Sequence, residues 1–254
     1  MHEVNYFQYE LVFNAFSFTI AAMGAATLFL WLNRSSVAAP YRGAITISGL
    51  VTAIALYHYL RISMSWTGAY TVLNDTVTTS GVRFNDAYRY VDWLLTVPLL
   101  LIELILVMRL SPAETVSKCA RLGTLAAIMV ILGYPGEISA NSGTRWLWWG
   151  LAMIPFAIIV FELFVGLRQS IENQPQEVRG LVNGARWLTV LSWCFYPVVF
   201  IFPMIGITGG AATTAVQVGY TISDIVAKAV LGVLIFAIAA RKSQREPVGA
   251  AVMG

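Results

Sequence analysis

Along this chain, long apolar stretches alternate with short polar ones. Seven apolar stretches can be traced, at about 11–32, 44–64, 88–108, 122–139, 146–167, 186–204 and 213–240. A helix rising about 1.5 Å per residue needs roughly 20 residues to cross a hydrocarbon layer about 30 Å thick. Most of the stretches meet that length, the fourth and sixth being close to the lower limit. Their runs of Leu, Ile and Ala lack the short period-two alternation of a membrane barrel. The pattern predicts an all-α membrane protein, a bundle of seven transmembrane helices, with no length left over for a second domain. The longest connection, roughly Ser65 to Asp86, reads TGAYTVLNDTVTTSGVRF. Its β-branched segments and polar breakers predict a small hairpin, an unstructured loop being the alternative.

Composition agrees with a lipid environment. Of 254 residues, 58% are apolar and 11% charged, and the mean hydropathy is +0.71. A soluble domain carries about 25% charge. The charges are also distributed unequally. Arg34, Arg42, Arg109, Lys118, Arg121, Arg168, Arg179, Arg186, Arg241, Lys242 and Arg245 follow the odd-numbered stretches or end the chain, whereas only Arg61, Arg83, Arg89 and Arg145 lie on the other side. Positive loops stay inside, so this predicts a multi-pass cell-membrane protein with its N-terminus extracellular. The same asymmetry accounts for the net charge of +3, and no nucleic acid is expected as a partner. The opening MHEVNYFQYE has no basic n-region, so the first stretch reads as a retained helix rather than a signal peptide. The tail after Ala240 is charged, then Gly/Ala-rich, and is expected to fray.

Motifs for familiar enzyme chemistry are missing. His2 and His58 make no metal pair by spacing, Cys119 (expected in a cytoplasmic loop) and Cys194 are not expected to pair, and no phosphate loop or hydrolase triad is present. What stands out is Lys228, in the middle of the last apolar stretch, with Asp224 one turn before it. A charge at bilayer depth costs roughly 2.5–3.5 kcal/mol on insertion scales. A partner at i−4 offsets part of that, and an amine in an apolar pocket is suited to imine formation with an aldehyde. A structural ion pair is the plainer alternative.

The third stretch weakens that alternative. RYVDWLLTVPLLLIEL carries Arg89, Asp92, Thr96 and Glu103. Eleven residues separate the two carboxyls, nearly three turns, so they share a face about 16 Å apart along the axis. Stacked carboxyls of this kind suggest a proton relay, with Asp92 and Asp224 balancing a charged imine on Lys228 and Glu103 holding a proton in reserve. Glu103 near the helix end reaching out to water is the alternative. Trp93, Trp149, and Trp193, Tyr196 and Phe200 of the WCFYP region could line a slot for a flat conjugated ligand, with Met129 and Gly133 leaving room at one end. Taken singly, such aromatics read as packing. Pro98 and Pro197 fall inside the predicted helices.

The stretches FNDAYRYVDWLLTVPLLLIE, YHYLRI, GYPGEIS, WCFYP and VGYTISDIVAKAV together resemble the microbial rhodopsins, most of all the proteorhodopsin and xanthorhodopsin proton pumps. The resemblance covers nearly the whole chain. It implies seven helices with all-trans-retinal in the core, bound as a protonated Schiff base to Lys228. By position it implies that Asp92 is the counterion and proton acceptor, Thr96 its hydrogen-bonding neighbour, Glu103 the cytoplasmic proton donor, Asp224 the second counterion and Arg89 the extracellular gate. His58 matches the histidine that pairs with the acceptor, and Leu100 the residue type of green-absorbing members. The expected activity is light-driven outward proton pumping, with a sensory photoreceptor or a chemically driven transporter as alternatives. The loop GITGGAATTAVQ has no carboxylates, so proton uptake is expected to precede release. Carotenoid-binding members have Gly where Trp149 aligns, which argues against a carotenoid antenna here. A homo-oligomer, pentamer or trimer, in the lipid bilayer is expected.

Overall fold

The computed structural model describes residues 3–85 and 87–245; His2, Asp86 and the tail beyond Arg245 lie outside the described residues. Helix α1 spans Tyr6–Leu32, α2 Arg42–Ala69, α3 Ala87–Met108 and α4 Pro112–Glu137. Helix α5, Ser142–Phe161, continues as a π-helical turn, Glu162–Gly166. The short α6, Arg168–Glu172, leads into α7, Gln176–Phe200. The last rod joins α8, Gly209–Asp224, to α9, Leu231–Ser243, through π-helical Ile225–Val230. With α8 and α9 taken as one rod, seven long helices form the bundle. Rods α1 to α5 pack in chain order, α7 lies against the last rod, and the last rod returns to α1 and α2, closing the ring.

Six of the rods are long and apolar enough to cross a membrane. The other, α7, opens with QEVRGLVNGAR, which dilutes an otherwise apolar helix. Local chemistry explains where helices begin and end. Helix α4 starts ten residues before its apolar stretch because Ser111 and Glu114 form a capping box around Pro112. Cys119 is therefore within a helix rather than in the loop predicted for it. Helix α2 runs on to Ala69 because Trp66, fully buried, packs against Tyr9 at 6.0 Å and Tyr70 at 4.8 Å between ring centroids.

The predicted hairpin forms. Strand β1, Tyr70–Leu73, pairs antiparallel with β2, Thr76–Thr79, in the register Tyr70↔Thr79 and Leu73↔Thr76. Asn74 and Asp75 turn the chain at φ of 48° and 60°, and two left-handed residues are what a tight two-residue hairpin demands. The charged stretch after Ala240 does not fray at its start: the helix continues to Ser243. Lys242 holds it there, buried, with Nζ donating to the carbonyls of Val107 (2.9 Å) and Met108 (3.0 Å) and to Gln174 Oε1 (2.9 Å).

Large apolar side chains such as Phe7, Phe18, Leu28 and Leu32 point outward, each more than 60% exposed. Lipid tails are as apolar as these side chains, so close packing and interior hydrogen bonds, rather than transfer from water, hold the rods together. Among the buried polar residues, Arg89, Asp92 and Thr96 from α3 gather with His58 from α2 and Asp224 and Lys228 from the last rod, while Glu103 is buried about three turns further along α3.

Candidate functional site

Spacing fixes the α3 contribution. Residues 89, 92, 96, 100 and 103 recur every three or four positions, so they form one stripe, and that stripe faces inward along its whole length. Lys228 comes from the π-helical stretch of the last rod and is 1% exposed. Its Nζ donates to Asp92 Oδ2 and lies 3.1 Å from Asp224 Oδ1. An ammonium held out of water needs opposing charge at this range, and here it has two carboxylates from different rods.

The two carboxylates have unequal surroundings. Asp224 accepts hydrogen bonds from Tyr59 Oη (2.7 Å), Tyr196 Oη (2.6 Å) and Trp93 Nε1 (3.3 Å). Three fixed donors beside the ammonium nearly saturate it. Asp92 has Lys228 on Oδ2, whereas its buried Oδ1 has no hydrogen-bond partner. His58 comes nearest. Its Nδ1 donates to the Ile54 carbonyl at 2.9 Å and lies 3.8 Å from Asp92 Oδ1, beyond hydrogen-bond reach. Thr96 does bond to Asp92, but to its main-chain carbonyl, at 2.8 Å.

Arg89 extends this network. Its guanidinium donates to Tyr59 Oη at 3.2 Å and to Gln217 Oε1 at 2.6 Å, and lies over the rings of Phe16, Tyr59 and Tyr220 at 5.5–5.6 Å. Tyr59 thereby links Arg89 to Asp224. With Arg89 counted, two cations balance two carboxylates. Glu103 is apart from this group, fully buried, and neither carboxyl oxygen has a hydrogen-bond partner.

A cavity of about 800 Å³, counting its mouth, opens from Lys228 and Asp224 between α3, α4, α5, α7 and the last rod. All seven residues predicted to line it do so: Trp93, Met129, Gly133, Trp149, Trp193, Tyr196 and Phe200. A Cβ on Gly133 would make ordinary contact with the Tyr90 ring, 3.4 Å away. Trp93 meets Tyr196 at 5.0 Å and Tyr220 at 5.4 Å in edge-to-face contacts that fix its plane. Trp149 closes one side, with Nε1 donating to the Pro197 carbonyl at 3.0 Å across from α5 to α7.

Sequence reasoning passed over three contributors to the site and one buried ion-pair cluster away from it. Tyr59, Gln217 and Tyr220 carry the hydrogen bonds and ring faces around Arg89 and Asp224. Glu162, buried at the π turn after α5, pairs with Lys118 (3.1 Å) and Arg121 (2.9 Å). Tyr59 stands beside His58 in YHYLRI, and its neighbour is the one signal that could have pointed to it. For Gln217 the signal is weaker, a lone amide seven residues before Asp224.

The model of the bacteriorhodopsin-like protein family matches residues 12–242. The green-light absorbing proteorhodopsin of Gamma-proteobacterium EBAC31A08 is 29% identical over 230 residues, covering 90% of this chain and 86% of that protein. The bacteriorhodopsin of Halobacterium salinarum is 31% identical over 184 residues, covering 71% of this chain and 66% of that protein. Among solved structures, xanthorhodopsin, described as a light-driven ion pump with dual chromophore, superposes with a TM-score of 0.93 at 49% identity, over 97% of this chain and 99% of that one. A thermophilic rhodopsin gives 0.93 at 43% identity over the same shares.

Proposed function

The chain belongs to the bacteriorhodopsin-like protein family, and we propose that it pumps protons outward in light, with Asp92 accepting a proton from Lys228 and Glu103 resupplying it. At family level it is a microbial rhodopsin, a light-driven proton transporter of the multi-pass cell-membrane kind, and not an enzyme. The residue roles rest on one observation above all: an ammonium excluded from water, shared between a saturated carboxylate and an unsaturated one.

The residues around Lys228 fit retinal. The cavity is apolar and aromatic along its length and polar only where it meets Lys228 and Asp224, which suits a polyene joined at one end to an amine. Retinal bound to Lys228 Nζ supplies visible absorption and a light-driven change of shape. Everything else falls to the chain. Trp93 and Trp193 bound the slot, Met129 and Gly133 shape its wall, and Tyr196 and Phe200 line it from α7. Trp149 fills the side on which a second pigment would have to rest, so we infer that this chain carries retinal without a carotenoid.

Proton traffic follows from the unequal carboxylates. At rest the positive charge at Lys228 Nζ is balanced by Asp92 Oδ2 and Asp224 Oδ1. Asp224 keeps its charge because Tyr59, Tyr196 and Trp93 all donate to it. Asp92 can take the proton from Nζ without giving up any other donor. Glu103 lies on the opposite side, fully buried, with the Ser48 hydroxyl of α2 beside it, and holds the reserve proton there. It returns a proton to Nζ. Arg89, held by Tyr59 and Gln217, keeps a fixed positive charge on the extracellular side of Asp92. The test is illumination of cells expressing the chain and given retinal. Acidification of the medium that a protonophore abolishes is the expected result, and an unchanged medium would leave only a photoreceptor.

A further inference from the structure

A second cleft lies at the Arg-rich end of the bundle, away from the retinal cavity. It is bounded by the π turn after α5, by α6 and by the first turns of α7, and holds about 990 Å³ counting its mouth. Three arginines line it, Arg168, Arg179 and Arg186, against the acid Glu172. That acid is already engaged by Arg168, whose Nε lies 2.8 Å from its Oε1, so the walls carry an excess of positive charge.

Helix α7 holds the arginines in register. Val178, Val182 and Ala185 are buried in the core, which turns Arg179, Asn183 and Arg186, spaced four and then three residues apart, to the cleft side. Arg186 is fixed: its guanidinium lies 4.4 Å over the Phe164 ring, and one nitrogen donates to Asn183 Oδ1. Its buried Nε has no hydrogen-bond partner, an omission that buried guanidinium donors rarely show. Arg179 is exposed, with one nitrogen on the Gln174 carbonyl at 3.2 Å. Between them Gly180 leaves the floor open, since a Cβ there would meet nothing within 4 Å. Helix α7 begins at Gln176, which itself lines the cleft. Beside the cleft, Val165, Trp187 and Leu191 present exposed apolar surface, and Trp187 packs on Phe164 at 4.6 Å. Indole rings of this kind sit at the level of lipid headgroups.

We propose that this cleft binds an anionic phospholipid of the leaflet on the Arg-rich side, with its phosphate held by Arg179 and Arg186 and its acyl chains lying along Val165, Trp187 and Leu191. Charge complementarity selects the occupant. Basic pockets between helices at the cytoplasmic surface suit acidic headgroups, and the forked guanidinium matches phosphate oxygens two at a time.

The test uses the retinal-loaded protein in bilayers of equal phosphatidylglycerol and phosphatidylcholine. It is extracted gently, and the lipids retained per protomer are counted by native mass spectrometry. The chain should retain phosphatidylglycerol over phosphatidylcholine by about tenfold, and each arginine lost should weaken that preference by roughly fivefold. Arg179→Gln should show the single step, and Arg179→Gln with Arg186→Gln should abolish the preference. The visible band should stay put, because neither residue lines the retinal cavity. Arg83→Gln, exposed near the hairpin end, should change nothing. Should Arg186→Gln cost the fold, seen as loss of the band, the exposed Arg179 variant decides alone. Equal retention of both lipids, or a preference untouched by Arg179→Gln, overturns the proposal. So does displacement of the lipid by inorganic phosphate at equal concentration, which would make the cleft a site for soluble phosphate.

Discussion

Replacing Glu103 by Gln isolates the proton-donor role from every other part of the account. Glu103 is fully buried, and both of its carboxyl oxygens lack hydrogen-bond partners. The amide has the same shape and leaves a comparable unsatisfied group, so the cost in stability should stay below about 1 kcal/mol. Glu103 does not line the retinal cavity, so the colour should not move. The kinetics should change greatly. A positioned proton donor contributes roughly 10²–10⁴ to the rate of its step, so reprotonation of Lys228 Nζ should slow at least about a hundredfold. With no internal donor the proton must come from bulk water, and the recovery rate should then track proton concentration, falling about tenfold per pH unit. Flash photolysis of the purified protein, followed at the visible band over the neutral pH range, measures both effects. Recovery at the unmodified rate, or slow recovery that ignores pH, would refute the assignment of Glu103.

Three further substitutions probe the rest of the site. Asp92→Asn removes an opposing charge and the acceptor together, so the absorption band should shift to the red and light-driven acidification should vanish; an unshifted band would mean that Asp224 alone balances Lys228. Tyr59→Phe deletes a donor to Asp224 and an acceptor for Arg89. Hydrogen bonds to charged groups are worth roughly 1.5–3 kcal/mol, and thermal bleaching should show a loss of that order, whereas an unaltered bleaching temperature would remove Tyr59 from the network. Trp149→Gly should open the cavity wall between α5 and α7. Carotenoid added to this variant should appear in the excitation spectrum of retinal, while the unmodified chain should show no such transfer; transfer in the unmodified chain would contradict the closed wall.

Much of this protein was legible in its sequence, and the reasons are physical. Helix count follows from apolar stretches because the hydrocarbon layer imposes a length on every crossing. The buried stripe of α3 was readable because residues 89, 92, 96 and 103 keep helical spacing among apolar neighbours, where each polar residue stands out. Spacing alone does not fix the approach of Lys228 to Asp92, since it depends on how two rods pack; the need to balance a buried charge suggested it, and the resemblance implied the same pairing. Helix ends were less legible. The starts of α4 and α7 lie ten residues before their apolar stretches, because caps and amphipathic turns build helix in water as well as in lipid. The π-helical stretch bearing Lys228 leaves no mark on the hydrophobic period. Tyr59 and Gln217 were hidden for a related reason: a tyrosine or amide on an apolar helix declares itself only when its partner, 165 residues away in the case of Asp224, is folded against it.

The transfer of one proton from Lys228 to Asp92 can be watched directly by time-resolved infrared difference spectroscopy on the retinal-loaded protein. A carboxylic C=O band should grow in step with loss of the proton from the lysine nitrogen and should be missing from Asp92→Asn. The same band persisting in Asp92→Asn would place the proton on another group and contradict the account.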